Sequence, residues 1–304
     1  MTDLSSPIYH DEEAARLHLE ALRWANGRFC PHCGATEATS PVASKKHAPG
    51  LYFCNACSKT FTVRVGTLFE RSHVALHKWV LAFELMAASK KGMSAHQLHR
   101  MLGVTYKTAW FMAHRIREAM QPDGYQGPMG SAGGFVEADE TFIGGKKENR
   151  HKGERSKAKM PPKQVVFALV ERDGSARSFH VATVSGRTLK PILRQQVSQS
   201  AHLRTDESHA YHRMRRDFAS HERVNHSREE YVRGDAHTNT VEGYFSILKR
   251  GIYGVYHHVS PAHLKRYLSE FDFRYTHRKI EDTERAELAL KGIEGKRLTY
   301  RRTA

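Results

Sequence analysis

FVEADETFIGG, running from Phe135 to Gly145, is an apolar strand with acids set inside it. Burying the carboxylate of Asp139 there is costly unless something cationic meets it, which singles this residue out. Around it, QVVFALVER (164–172), ARSFHVATV (176–184) and HLRTDES (202–208) read as further strands. TLKPILRQQVSQ (188–199) and TNTVEGYFSILKRGI (238–252) read as helices. Strands and helices interleaved in this way predict a mixed α/β domain, delimited here as 135–280.

Upstream, QPDGYQGPMGSAGG (121–134) holds five glycines and two prolines, so neither helix nor strand crosses it and it reads as a linker. Before the linker the periodicity is helical. One helix spans Leu76 to Ser89 and is closed by Lys90-Lys91-Gly92; Ser94 caps a second (SAHQLHRML), Gly103 closes it, and Thr105 caps a third (TYKTAWFMAHRIREAM). Two helices about a tight glycine turn, with Lys107, Arg115 and Arg117 on the last, suit a helix-turn-helix over 71–120 whose final helix enters the major groove. The same pattern also suits an ordinary helical bundle.

Residues 1–70 carry all four cysteines. Cys30-Pro31-His32-Cys33 and Cys54-Asn55-Ala56-Cys57 are separated by twenty residues. Two such tight turns offer four thiolates to one tetrahedral zinc, and four sulfurs leave no open position for a substrate, so the metal is predicted to be structural. His32 lies between two ligands and is not needed as a fifth. The alternative is a pair of disulfides. It fits poorly, because the N-terminus shows neither the basic start nor the apolar run of a signal peptide, and the cytoplasm that this predicts is reducing. A short helix from Asp11 to Trp24 and a ribbon strand through Phe61, Val63 and Val65 complete this module.

The chain has 304 residues, 39% of them apolar, enough for a real core, and no run of the roughly 18 apolar residues that a membrane helix needs. Lysine and arginine total 48 against 32 acids, a net charge of +16 that attracts polyanions, nucleic acid first among them. Two stretches concentrate it. Gly144–Lys163 carries eight basic residues, Lys146 and Lys147 among them, against two acids; it reads as a solvated loop that either clamps phosphates or binds nothing. The segment 281–304 reads as a basic tail, an accessory DNA contact or a frayed end.

Three acids are candidates for chemistry: Asp139 in its apolar strand, Asp206 at the end of a second strand, and Glu242 at the opening of a helix. Hard oxygen ligands of this kind suit Mg²⁺ or Mn²⁺, and two such ions can bridge a phosphodiester. Taken singly, each has a plain structural reading as strand end, turn former or first-turn helix acid. Lys249 follows Glu242 by seven residues, two helical turns, and so shares its face, as does Asn239; Arg250 is next in line.

RWANGRFCPHCG and FCNACSKTFTVRVGTLFERSHVALHKWVLAFELM resemble the N-terminal zinc ribbon of prokaryotic insertion-sequence transposases of the ISXO-two-like DDE group. FVEADETFIGGKK, TDESHAY, VNHS, HTNTVEGYFSILKRGIYGVYHHVS and HLKRYLSEFDFRYTHR are similar, in order and spacing, to the catalytic domain of that group. The resemblance implies an RNase H-like domain with a mixed sheet flanked by helices, and a triad falling on Asp139, Asp206 and Glu242, followed by Lys249. Thirty-five residues separate the last two acids. It further implies a DNA transposase that uses two Mg²⁺ or Mn²⁺ ions to cut and join strands. Double-stranded DNA is its partner, and it acts as a homo-oligomer on that DNA in the prokaryotic nucleoid. A non-catalytic DNA-binding regulator and a nuclease that cuts without joining are the alternatives. Two positions depart from the family pattern, Ala25 for proline and Thr276 for asparagine.

Overall fold

The computed structural model describes residues 3–42, 49–144, 163–224 and 232–299. It divides into one unit of Met1–Asp123 with Arg278–Ala304 and a second of Gly124–His277, so the boundary falls inside the glycine-rich stretch. Only the start of that stretch is a joint. Met129 is buried in the second unit, and its amide donates to the carbonyl of Gln196 at 2.7 Å.

In the first unit, helix α1 (Glu12–Arg23) begins where Asp11 accepts from the amide of Ala14. A three-stranded antiparallel ribbon follows: β1 (Thr39–Pro41), β2 (Tyr52–Cys54) and β3 (Lys59–Phe61). Trp24 meets Tyr52 and Phe61 edge-on beneath it, at 5.4 and 6.1 Å between centroids. The ribbon strand ends at Phe61, short of the alternation through Val65, because Val65 turns back to bond the carbonyl of Thr62.

Helix α2 (Leu76–Ala88) is apolar nearly all round and buries Trp79, Val80, Phe83 and Met86, as a helix packed on several sides must. Helices α3 (Ala95–Leu102) and α4 (Tyr106–Ala119) start where the sequence predicts. Ser94 accepts from Gln97, Thr105 from Thr108, and Gly103 takes the left-handed conformation between them, at φ +60°.

The predicted basic tail is corrected. Asp282–Lys291 forms helix α8, which buries Ala286, Ala289 and Leu290 against α2. Its apolar residues recur at helical spacing beneath the charge, and the charge hid them. Arg285 donates to the carbonyl of Ala87 at 3.0 Å, and Arg23 forks onto Glu294 at 2.6 and 2.8 Å. Gly292 lies so close to α4 that a Cβ would stand 2.2 Å from the Ala119 carbonyl oxygen.

The second unit is a five-stranded mixed sheet in the order β6-β5-β4-β7-β8. Strands β4 (Phe135–Ile143), β5 (Gln164–Glu171) and β6 (Ala176–Val181) are antiparallel, whereas β7 (His202–Thr205) and β8 (Ser220–Arg223) run parallel to β4. Helix α5 (Gly186–Gln196) covers one face, where Val136, Ala138, Phe167 and Leu203 pack with Leu189 and Leu193. Helices α6 (Asn239–Gly251) and α7 (Pro261–Thr276) cover the other, where Val166, Ala168 and Val170 meet Val241, Leu248 and Leu268. Every second residue of a strand faces one side, so Glu137 and Asp139 lie on the α6 face and Glu140 on the α5 face. Thr276, the departure from the expected asparagine, accepts the amide of Ala176 at 3.2 Å, at the start of β6.

Candidate functional site

The four cysteines meet as their spacing predicts. Their sulfurs all lie within 4.8 Å of one another, with Cys30 and Cys57 3.7 Å apart and Cys33 and Cys54 3.7 Å apart. Thiolates at the usual zinc–sulfur distance of about 2.3 Å would form a tetrahedron with edges of about 3.8 Å, so the set fits one zinc ion. Burial pushes the Cys30 thiol up, but the amides of His32 and Cys33 and the neighbouring thiols outweigh it and bring it down to about 6. His32 takes no part; its Nε2 faces the carbonyl oxygen of Thr60 at 3.3 Å.

The three acids are neighbours in the second unit, Asp206 and Glu242 both near enough to act on Asp139. Ala138 pairs with Thr205 on the parallel neighbour, so Asp139 and Asp206 are each the next residue along adjacent strands. Alternation turns Asp139 toward the face that α6 covers, Asp206 follows the last residue of β7, and Glu242 sits in the first turn of α6. Burial raises Asp139 to about 7, and the negative charges of Asp206, Glu140 and Glu242 add to the shift. All of its electrostatic causes are carboxylates, which is the condition a divalent cation relieves. The carboxylates do not converge as the thiols do: among the described residues, the cysteines are the one group of three or more ligating side chains whose atoms all lie within 4.8 Å.

Hydrogen bonds hold each acid. Asp139 accepts from the amide of Glu140 at 2.7 Å, Asp206 from the amide of Ser208 at 3.0 Å, and Glu242 from the hydroxyl of Thr238 at 3.0 Å. Two acids that sequence reasoning passed over complete the surroundings. Glu140, raised chiefly by burial, accepts from the buried hydroxyl of Tyr211 at 2.5 Å. Glu137 is fully buried beside the start of α6. The signal was present in VEADET, where Glu137 and Asp139 alternate with Val136 and Ala138 and Glu140 follows directly, but only the register shows which face each takes.

The basic residues fall out differently. Arg115 and Arg117 are corrected as groove contacts: they are 8% and 2% exposed. Arg115 lies 4.7 Å over the ring of Phe111 and donates to the carbonyl of Leu298 at 3.3 Å. The C-terminal half of α4 is interior to its unit, and Lys107, on the N-terminal half beside Tyr106, is exposed. Lys249 and Arg250 are exposed in the last turn of α6, where Arg250 folds back on the hydroxyl of Ser246 at 2.9 Å. Lys146 and Lys147 lie outside the described residues.

A cationic surface unremarked in the sequence does adjoin the acids. Three residues past Asp206, His209 begins a short turn whose Tyr211 is the anchor to Glu140. His209 stacks on His212 at 5.4 Å, and exposed Arg213, Arg215 and Arg216 follow. Arg223, paired with Thr205, ends β8 beside them. His212 is lowered by desolvation and by the charges of Arg213, His209, Arg223 and Lys190, so these cations form one field.

Residues 131–276 match the ISXO2-like transposase domain, and residues 10–60 match the transposase zinc-ribbon domain. A ribbon with four metal-binding cysteines, followed by a carboxylate-bearing mixed sheet, is therefore that of a transposase. A Halobacterium salinarum protein, described as an uncharacterized protein in transposable element ISH50, is 31% identical over 278 residues, 87% of this chain and 90% of that one. The chain belongs to the ISXO2-like insertion-sequence transposase family. Among the described residues, no helix is long and apolar enough to cross a membrane.

Proposed function

We propose that the second unit is an RNase H-like catalytic domain and that the protein cuts and joins DNA at the ends of its own insertion sequence. The observation that carries this reading is the placement of Asp139, in the middle of β4, beside Asp206, just past the end of parallel β7, with Glu242 close enough to act on Asp139. The strand order, with an antiparallel trio extended by two parallel strands, supports the fold assignment.

Asp139, Asp206 and Glu242 would hold two Mg²⁺ or Mn²⁺ ions. Such ions lower the pKa of water at a phosphodiester and offset the charge on the departing 3′-oxygen. The chain's own residues bind and orient the strand. Arg213, Arg223 and the stacked histidines hold phosphates beside the acids. The exposed start of α4, with Tyr106 and Lys107, is the part of a helix-turn-helix that reaches a groove. The ribbon's zinc is structural, because four sulfurs fill its coordination sphere. Joining two element ends calls for a homo-oligomer on DNA.

A strand-transfer assay tests the proposal. Cleaved element ends incubated with Mg²⁺ and a plasmid should give joined product, and Asp139→Asn should abolish it. Cleavage without joining would make the protein a nuclease, and DNA binding without either would make it a regulator.

A further inference from the structure

We propose that Glu137 is a positioning residue for the third acid: it caps helix α6 from the neighbouring strand and so fixes where Glu242 stands relative to Asp139. The proposal rests on the reading of Asp139, Asp206 and Glu242 as one ion-holding site.

The first amides of a helix need acceptors, and the residue at the helix start commonly supplies one. Thr238 holds that place in α6 and makes no such bond; its hydroxyl donates to Glu242 Oε1 instead. The acceptor comes from the sheet. Oε2 of Glu137 takes the amides of Thr240 at 2.7 Å and Val241 at 3.1 Å, and Oε1 takes the Thr240 hydroxyl at 2.9 Å. Glu137 thus grips the first turn of α6, the turn that carries Glu242.

A charge that is 0% exposed needs a counterion, and Arg172 supplies it, its Nε donating to Glu137 Oε1 at 2.7 Å. The other end of that guanidinium donates to the carbonyls of Asp235 at 2.7 Å and His237 at 3.2 Å, so the chain entering α6 is tied to the same carboxylate. His237 Nδ1 adds a contact at 3.2 Å. Both oxygens of Glu137 are occupied, so it is not a further ligand. Its register matters more: it precedes Asp139 by two residues on the same face of β4, roughly 7 Å along the strand. Any slide or rotation of α6 therefore changes the spacing between Asp139 and Glu242 directly. A plain structural ion pair would need Arg172 alone and none of the helix amides.

The test measures Mn²⁺ affinity of the full-length, zinc-loaded protein by calorimetry, beside thermal unfolding. Glu137→Gln, which keeps an acceptor but loses the charge, and Thr240→Val, which removes one bond, should each weaken Mn²⁺ binding by about tenfold, the usual cost of disturbing a group that orients a metal ligand. Raising Mn²⁺ should restore strand transfer in both. Glu137→Ala should lose more, and if it fails to fold, Thr240→Val carries the decision. Wild-type affinity in folded Glu137→Gln and Thr240→Val, with affinity lost in Glu242→Gln, would overturn the positioning role and leave the ion site standing. Unchanged affinity in Glu242→Gln and Asp139→Asn as well would overturn both.

Discussion

In the ribbon, four thiols stand within 4.8 Å of one another, whereas in the sheet domain Asp206 and Glu242 act on Asp139 without converging to that range. Thiols are ordinarily neutral near pH 7, and here Cys30 is lowered, to about 6, while Cys33 and Cys57 are raised, so the four can gather at contact distance with little like-charge repulsion. Carboxylates are charged there. Asp139 is raised to about 7 by burial, and the charges of Asp206, Glu140 and Glu242 add to that shift. The first kind of site is preformed and closes on its metal as part of folding; the second stands wider. Its geometry is kept by outside groups, Thr238 on Glu242 and the amide of Ser208 on Asp206.

The largest effect should follow from breaking the closed site. Cys54→Ser or Cys30→Ser should take the zinc content of the purified protein from one equivalent to none. Structural zinc contributes about 10–16 kcal/mol to the folding of isolated finger peptides, so the ribbon should open to protease while the sheet domain keeps its own unfolding transition. Chelation should do the same to the wild type. Full zinc retention in both variants would break the comparison, because the thiols would then not be the ligands.

The same contrast decides what was legible in the sequence. The cysteine site rests on two local turns and needs only spacing, so Cys30, Cys33, Cys54 and Cys57 were readable at once. The caps at Ser94 and Thr105 were readable for the same local reason. The acids lie in strand, strand and helix, and only the register Ala138–Thr205 makes neighbours of Asp139 and Asp206; the family pattern supplied what spacing does not. Arg115 and Arg117 misled because a charge on a helix reads as exposed until something packs over it, and both are buried, Arg115 against the C-terminal segment at Leu298. Helix α8 was hidden by its own charge, and Glu137 by the assumption that a helix is capped by its own residues.

A second prediction sharpens the comparison through pH. Asp139 sits at about 7 when folded and near 3.8 when unfolded, so the folded chain binds its proton more tightly. Stability from this group is therefore greatest below about pH 4, falls as pH rises toward 7, and stays low above it. At 1.36 kcal/mol per pH unit, the cost at pH 8 reaches about 4 kcal/mol at most. Asp139→Asn should abolish strand transfer yet raise the melting temperature of the magnesium-free protein at pH 8, with almost no effect at pH 4. Asp272, also raised by burial to about 6, contributes a slope of the same sign but is common to both proteins and cancels. Added Mg²⁺ should stabilise the wild type alone and close the gap. A variant no more stable than wild type at pH 8 would mean that neither burial nor the neighbouring carboxylates penalise the charged form of Asp139.

The smallest effect concerns the cations beside the open site. Arg213 and Arg223 are exposed, so replacing either with alanine should change stability by less than about 0.5 kcal/mol. If each holds one phosphate, each substitution should lower the slope of log affinity against log salt by about 1, uniformly across DNA sequences. Arg117→Ala should behave in the opposite way, destabilising its unit by about 1–3 kcal/mol as a buried arginine does, with the salt slope unchanged. His212 provides an internal check, since its neighbours Arg213 and Arg223 help to depress it. In Arg213→Ala its titration, followed by NMR, should move back toward the ordinary histidine range. A moved histidine with an unmoved salt slope would mean that the cations form one field that the DNA does not use, and the phosphate contacts would then have to be sought on the exposed start of α4.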